Sequence, residues 1–134
     1  MLIQKQDYKM DVDIEQTELY YESHSLCDCQ SCRNYYAQVR DRFVVLDNFL
    51  SEFGVAIDRP DEIGWIEAEN KVEYLFVSYT VCGRILEYGE YEMSLNDAEL
   101  VLNIVIGGSD IPNEQKGEYF VITVYNIVLP WVLD

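Results

Sequence analysis

The sequence is poor in cations, histidine and proline. Only 9 Lys+Arg stand against 25 Asp+Glu in 134 residues, for a formal net charge of −16. A chain this acidic repels phosphate, which excludes docking on a nucleic-acid backbone or on an anionic membrane. There is one histidine, His24, so no catalytic scheme built on several imidazoles is available. No apolar run approaches the roughly 18 residues of a spanning helix. The opening residues, MLIQKQDYKMDVD, hold neither a long apolar stretch nor a small-residue cleavage site. No signal peptide is therefore read, and the expected location is cytoplasmic. Repeats, low-complexity tracts and Gly/Ser linkers are missing too, so residues 1–134 are read as one domain.

What is present suffices for a core. Apolar residues make up 49% of the chain and aromatics 13%, which argues against disorder despite the charge. Tyr8, Met10, Val12 and Ile14 alternate with Lys9, Asp11, Asp13 and Glu15, the period of a half-buried strand. A polar loop is expected over Glu18–Leu26. Then Tyr35 or Tyr36, Val39, Phe43, Leu46, Leu50 and Phe53 recur at steps of three and four. That spacing predicts one long amphipathic helix, Ser31–Phe53, with Gly54 as its cap and Arg59-Pro60 barring continuation. Strands are expected at Ile63–Glu69, Val72–Cys82 (broken by Gly83), Ile85–Met93, Leu100–Ile106 and Tyr119–Leu129. Tyr88-Gly89-Glu90 reads as a tight turn or bulge. The fold class is thus α+β: one N-terminal strand, one long helix, then a mainly antiparallel sheet of four to five further strands.

Val72–Cys82 and Tyr119–Leu129 are apolar on both faces, whereas one helix covers one face only. The second face calls for a curled sheet, a second layer or a partner chain, with a homodimer as one solution. The apolar tail Leu129-Pro130-Trp131-Val132-Leu133 either joins such an interface or packs back on its own domain.

The dense constellation of soft ligands is His24-Ser25-Leu26-Cys27-Asp28-Cys29-Gln30-Ser31-Cys32. Three thiols and one imidazole within nine residues, just before a helix, have the chemistry of a zinc site, with Cys27, Cys29, Cys32 and His24 as candidate ligands. Amide groups at a helix start also favour thiolates. Against this, structural zinc sites usually draw on two separate hooks. In an extended segment Cys27 and Cys29 would also share a face. The alternatives are redox chemistry at Cys29-x-x-Cys32, for which the expected βαβ frame is missing, and plain packing of the thiols. Cys82, on a predicted strand, reads as a core thiol.

The run Cys27-Asp28-Cys29-Gln30-Ser31-Cys32-Arg33-Asn34-Tyr35-Tyr36, with Phe49–Val55 and Arg59–Ile63 after it, resembles a group of small acidic bacterial proteins. These carry a C-x-C-x-x-C-R-N-aromatic signature opening a helix. The resemblance covers residues 27–63. It implies a bacterial origin of Firmicutes type and no particular activity.

Other motifs are weak. Gly107-Gly108-Ser109 lacks the Lys-Ser/Thr of a phosphate loop and reads as a turn. No calcium-loop spacing and no nucleophile elbow are visible. The charge is uneven: −4 over residues 1–26, −1 over 27–60 and −11 over 61–134, where fourteen acids face three bases. The expectation is therefore a non-enzymatic, acidic protein-binding module, immunity- or adaptor-like, whose strand-rich region engages a basic protein. The first alternative is a small zinc protein using the cysteine cluster. The second is a thiol oxidoreductase. No catalytic residue is assigned.

Overall fold

The computed structural model describes residues 1–90, 92–107, 113–115 and 117–133. A hairpin of β1 (Leu2–Lys5) and β2 (Tyr8–Val12) comes first. Three helices follow: α1 (Ile14–Ser23), α2 (Gln30–Arg42) and α3 (Val44–Ser51). Six strands complete the described chain: β3 (Glu62–Ala68), β4 (Lys71–Glu87), β5 (Met93–Asp97), β6 (Leu100–Ile106), β7 (Tyr119–Tyr125) and β8 (Ile127–Pro130). The strands are ordered β1-β2-β4-β7-β6-β5, with β3 and β8 also paired to β4. Every pairing is antiparallel.

The α+β class and the antiparallel sheet agree with the sequence reading, but the element counts do not. Among the described residues there are two strands before the helices instead of one. There are three helices instead of one, and six later strands instead of four or five.

Each difference has a local cause. The expected loop over 18–26 is largely helix α1. Asp13 caps it through Oδ1, which accepts the N–H of Gln16 at 3.0 Å. The long helix is two helices, because Phe43 leaves helical geometry at φ −109° and ψ 72°. Phe43 supplies no side-chain cap to α3. Asp97 of β5 supplies it from elsewhere in the chain, accepting Leu46 N–H at 2.7 Å. Gly83 does not end a strand. It sits at φ +142° inside β4, where a Cβ would collide with the carbonyl oxygen of Asp11 on β2. Lacking a side chain, it lets β2 close on β4 and keeps a 17-residue strand continuous. Asn126, at φ +77°, divides the expected last strand into β7 and β8. Of the turn expected at Gly107-Gly108-Ser109, everything after Gly107 lies outside the described residues.

The predicted apolar face nevertheless runs unbroken across α2 and α3. Tyr35, Val39, Phe43, Leu46, Leu50 and Phe53 are all buried, in one cluster with Val72, Tyr74, Val77, Tyr79 and Val81 of β4. On the alternate face of β4, Ser78 and Thr80 are buried as well. Their hydroxyls pair with those of Thr123 on β7 and with Asn113 Nδ2, both at 3.1 Å. The C-terminal tail packs on its own domain. Ile127 and Leu129 are buried in β8 against β4, and Val132 N–H donates to Asn34 Oδ1 of α2 at 2.9 Å. No helix among the described residues is long and apolar enough to cross a membrane.

Candidate metal centre

The three sulfurs of the C-x-C-x-x-C run converge. The Sγ atoms of Cys27, Cys29 and Cys32 all lie within 4.8 Å of one another. The start of α2 builds this arrangement. Cys29 is the N-cap, in extended geometry at φ −65° and ψ 160°, and its Sγ accepts the N–H of Cys32 at 3.4 Å. The x-x spacing thus puts one thiol at the cap and one in the first turn, above the same exposed amides. Cys27 is brought in by a second local turn, in which Cys29 N–H donates to Cys27 Sγ at 3.5 Å. That turn overcomes the single-residue spacer, which in an extended chain would leave two sulfurs side by side.

The tripod stands on a firm base. Tyr74 of β4 donates to the carbonyl of Ser31 at 2.6 Å, and Ser31 Oγ donates to Glu67 Oε1 of β3 at 2.9 Å. Fully buried Asn34 donates to the carbonyl of Pro130 at 3.0 Å, as does Gln38 at 2.8 Å. Tyr36 Oη closes over the loop onto the Cys27 carbonyl at 2.9 Å. Cys27 is exposed, Cys29 partly so, and Cys32 is buried. The gradient shows in their acidity. Backbone and side-chain hydrogen bonds from Cys29 hold the Cys27 thiol below its ordinary pKa. Burial, aided by the two neighbouring sulfurs, pushes Cys32 well above it.

Neither of the chain's other soft donors joins the sulfurs. His24 is buried at the end of α1, stacked on the ring of Tyr20 at 4.8 Å and edge-on to Tyr21 at 5.1 Å. Its Nδ1 lies 3.3 Å from the Tyr20 carbonyl, and its Nε2 lies 3.9 Å from Asp61 Oδ1. The sequence grouping of His24 with the cysteines is therefore not reproduced in space. Cys82 is buried on β4 with its N–H bound to Thr17 Oγ1 at 3.0 Å. The frame around Cys29-x-x-Cys32 is α1–α2 beside an antiparallel sheet, not βαβ.

The residue that sequence reasoning overlooked is Asp61. Its side chain is 2% exposed, accepts the Tyr20 hydroxyl and the Thr80 N–H (3.0 Å), and faces His24. Nothing in the run Arg59-Pro60-Asp61 distinguishes it from a surface carboxylate. A groove of about 1060 Å³, with none of the three cysteines in its lining, is lined in part by Asp11, Asp13, Glu15, Glu114 and Glu118, with Arg84 among them.

No family model, no curated protein and no solved structure matches the chain.

Proposed function

We propose that this is a small zinc-thiolate protein in which Cys27, Cys29 and Cys32 hold one Zn²⁺. The observation that carries the reading is the mutual approach of three sulfurs to within 4.8 Å at the capped start of α2. A tetrahedral zinc with bonds of about 2.3 Å separates its sulfurs by roughly 3.8 Å, so closing on the ion needs shifts of only about 1 Å. Soft thiolates select zinc over the hard cations that scattered carboxylates would take. The helix amides favour the three negative charges as they form.

Metal analysis of protein purified without chelator tests this. One zinc per chain is expected, with a fall in melting temperature on chelation. A Cys27→Ser/Cys29→Ser/Cys32→Ser variant should lose both. Substoichiometric zinc, with no change in stability on chelation, would overturn the reading.

A second reading, the acidic protein-binding module, draws on the carboxylate-lined groove beside α1 and β2. Cationic segments of a partner would be attracted there at low ionic strength. Failure to retain any basic protein at low salt would dismiss it. Thiol oxidoreductase activity has less support, since the motif lacks its usual frame.

A further inference from the structure

Resting on the zinc reading, the geometry points to a site that this chain leaves one cysteine or histidine short, with a fourth position open to a neutral nitrogen ligand of the imidazole class from another molecule.

The argument begins with a count. The chain has four cysteines and one histidine, all among the described residues. Three cysteines form the tripod. Cys82 is buried on β4, and His24 is buried between Tyr20, Tyr21 and Asp61. A closed Cys₄ or Cys₃His set therefore cannot be assembled from this chain as it is folded. Zinc sites with three protein ligands keep their fourth position exchangeable. Cys27 is exposed and Cys32 is buried, so the cluster meets solvent at its Cys27 end.

Charge selects the class of ligand. Three thiolates on Zn²⁺ already carry a net −1, on a protein whose formal charge is −16. A fourth thiolate or a carboxylate, the exposed Asp28 included, would raise the local charge to −2. A neutral imidazole leaves it at −1 and completes Cys₃His, a common structural zinc set. A second copy of this chain cannot supply it, because its only histidine is buried in the same way. The step is a simple ligand exchange: a nitrogen lone pair enters as a bound water leaves, with no redox change.

Cobalt(II) substitution under a non-coordinating phosphine reductant tests this on the full chain, with imidazole itself as the probe. Thiolate-to-cobalt charge-transfer absorption should appear on loading. Titration with imidazole should then shift the d–d bands saturably, while the charge-transfer intensity persists. His24→Phe should respond as the parent does. Charge-transfer bands with no response to imidazole would overturn this inference and leave the zinc reading standing. So would a response confined to His24→Phe, which would make His24 the resident ligand, or loss of the charge-transfer bands through extraction of the metal. Absence of charge-transfer absorption on loading would remove the zinc reading itself.

Discussion

Cys29 Sγ accepts the backbone N–H of Cys32 at 3.4 Å, so the residue that caps α2 is also a candidate ligand. One atom thus has two roles, and substitution separates them. A serine hydroxyl caps a helix at least as well as a thiol, but it is a poor zinc ligand. Cys29→Ser should keep the stability of the metal-free protein within about 0.5 kcal/mol of the parent, or raise it, whereas Cys29→Ala should cost about 1 kcal/mol. Both should weaken zinc binding at least about tenfold, in line with the loss of a bond that supports the site. Urea unfolding with chelator, beside a competition titration with a zinc indicator, reads the two effects. Full zinc affinity in Cys29→Ser would show that the sulfur is only a cap.

The thiols should also separate by reactivity. Cys27 is exposed and its pKa is lowered by the N–H of Cys29, while burial raises that of Cys32. Only thiolate reacts with an alkylating reagent. As pH rises, Cys27 should therefore be modified first in metal-free protein, and Cys32 only at clearly higher pH. Peptide mass spectrometry after timed iodoacetamide treatment gives the order. Zinc should protect all three. Equal rates for Cys27 and Cys32 would contradict the arrangement.

The parts of this fold that were legible were those governed by local periodicity. The apolar stripe from Tyr35 to Phe53 is buried as read: steps of three and four keep side chains on one face within each of α2 and α3, and Phe43 at the break is itself buried. The break at Phe43 was not legible: no Pro or Gly marks it, and its compensating cap, Asp97, lies 51 residues from Leu46. Helix α1 was hidden for a different reason. Its buried face is Thr17, Tyr20 and Tyr21, which bury rings and methyls while keeping hydroxyls bonded, so hydropathy does not flag it. The β5–β6 hairpin turns at Ala98 and Glu99, both at positive φ (50° and 65°), without the Asn-Gly that normally announces such a turn. At the site, the density of thiols marks Cys27, Cys29 and Cys32 as candidates, but the local turn that brings Cys27 in is not legible from the single-residue spacer. The fate of His24 is not legible either, since it depends on Asp61, which approaches from the far side of α3 in sequence.

His24 itself yields the next expectation. Its Nε2 is buried without a hydrogen-bond partner, 3.9 Å from Asp61, and its ring is held by stacking. His24→Phe keeps the stack, removes the unpaired nitrogen and gives up one long contact to the Tyr20 carbonyl. The change in stability should stay within about 1 kcal/mol. Asp61→Ala, which orphans the Thr80 N–H and the Tyr20 hydroxyl, should cost about 3 kcal/mol. Zinc affinity should be unaltered in His24→Phe. A tenfold loss there would mean that the imidazole leaves its pocket to join the sulfurs.

The buried tyrosines set the alkaline limit of the fold. Tyr35 and Tyr79 join hydroxyls in the core, and Tyr79 donates onward to the Ile57 carbonyl at 2.7 Å. Burial raises the pKa of both above the ordinary tyrosine value. The folded state therefore holds these protons more tightly than the unfolded chain does. Their stabilising effect is complete below the unfolded pKa of about 10, and it is lost as pH rises through that value toward the folded one. Each such proton contributes a slope of about −1.4 kcal/mol per pH unit in that window. Tyr35→Phe deletes one of them. It leaves the Tyr79–Ile57 bond in place, so at neutral pH it should cost only about 1 kcal/mol. Above pH 10 its stability should fall less steeply than the parent's by one proton's slope, so the two curves converge. Urea unfolding at a series of alkaline pH values, with tyrosinate absorbance followed in parallel, measures both. Parallel curves would mean that Tyr35, though fully buried, ionises as freely inside the fold as outside it, and would overturn this expectation.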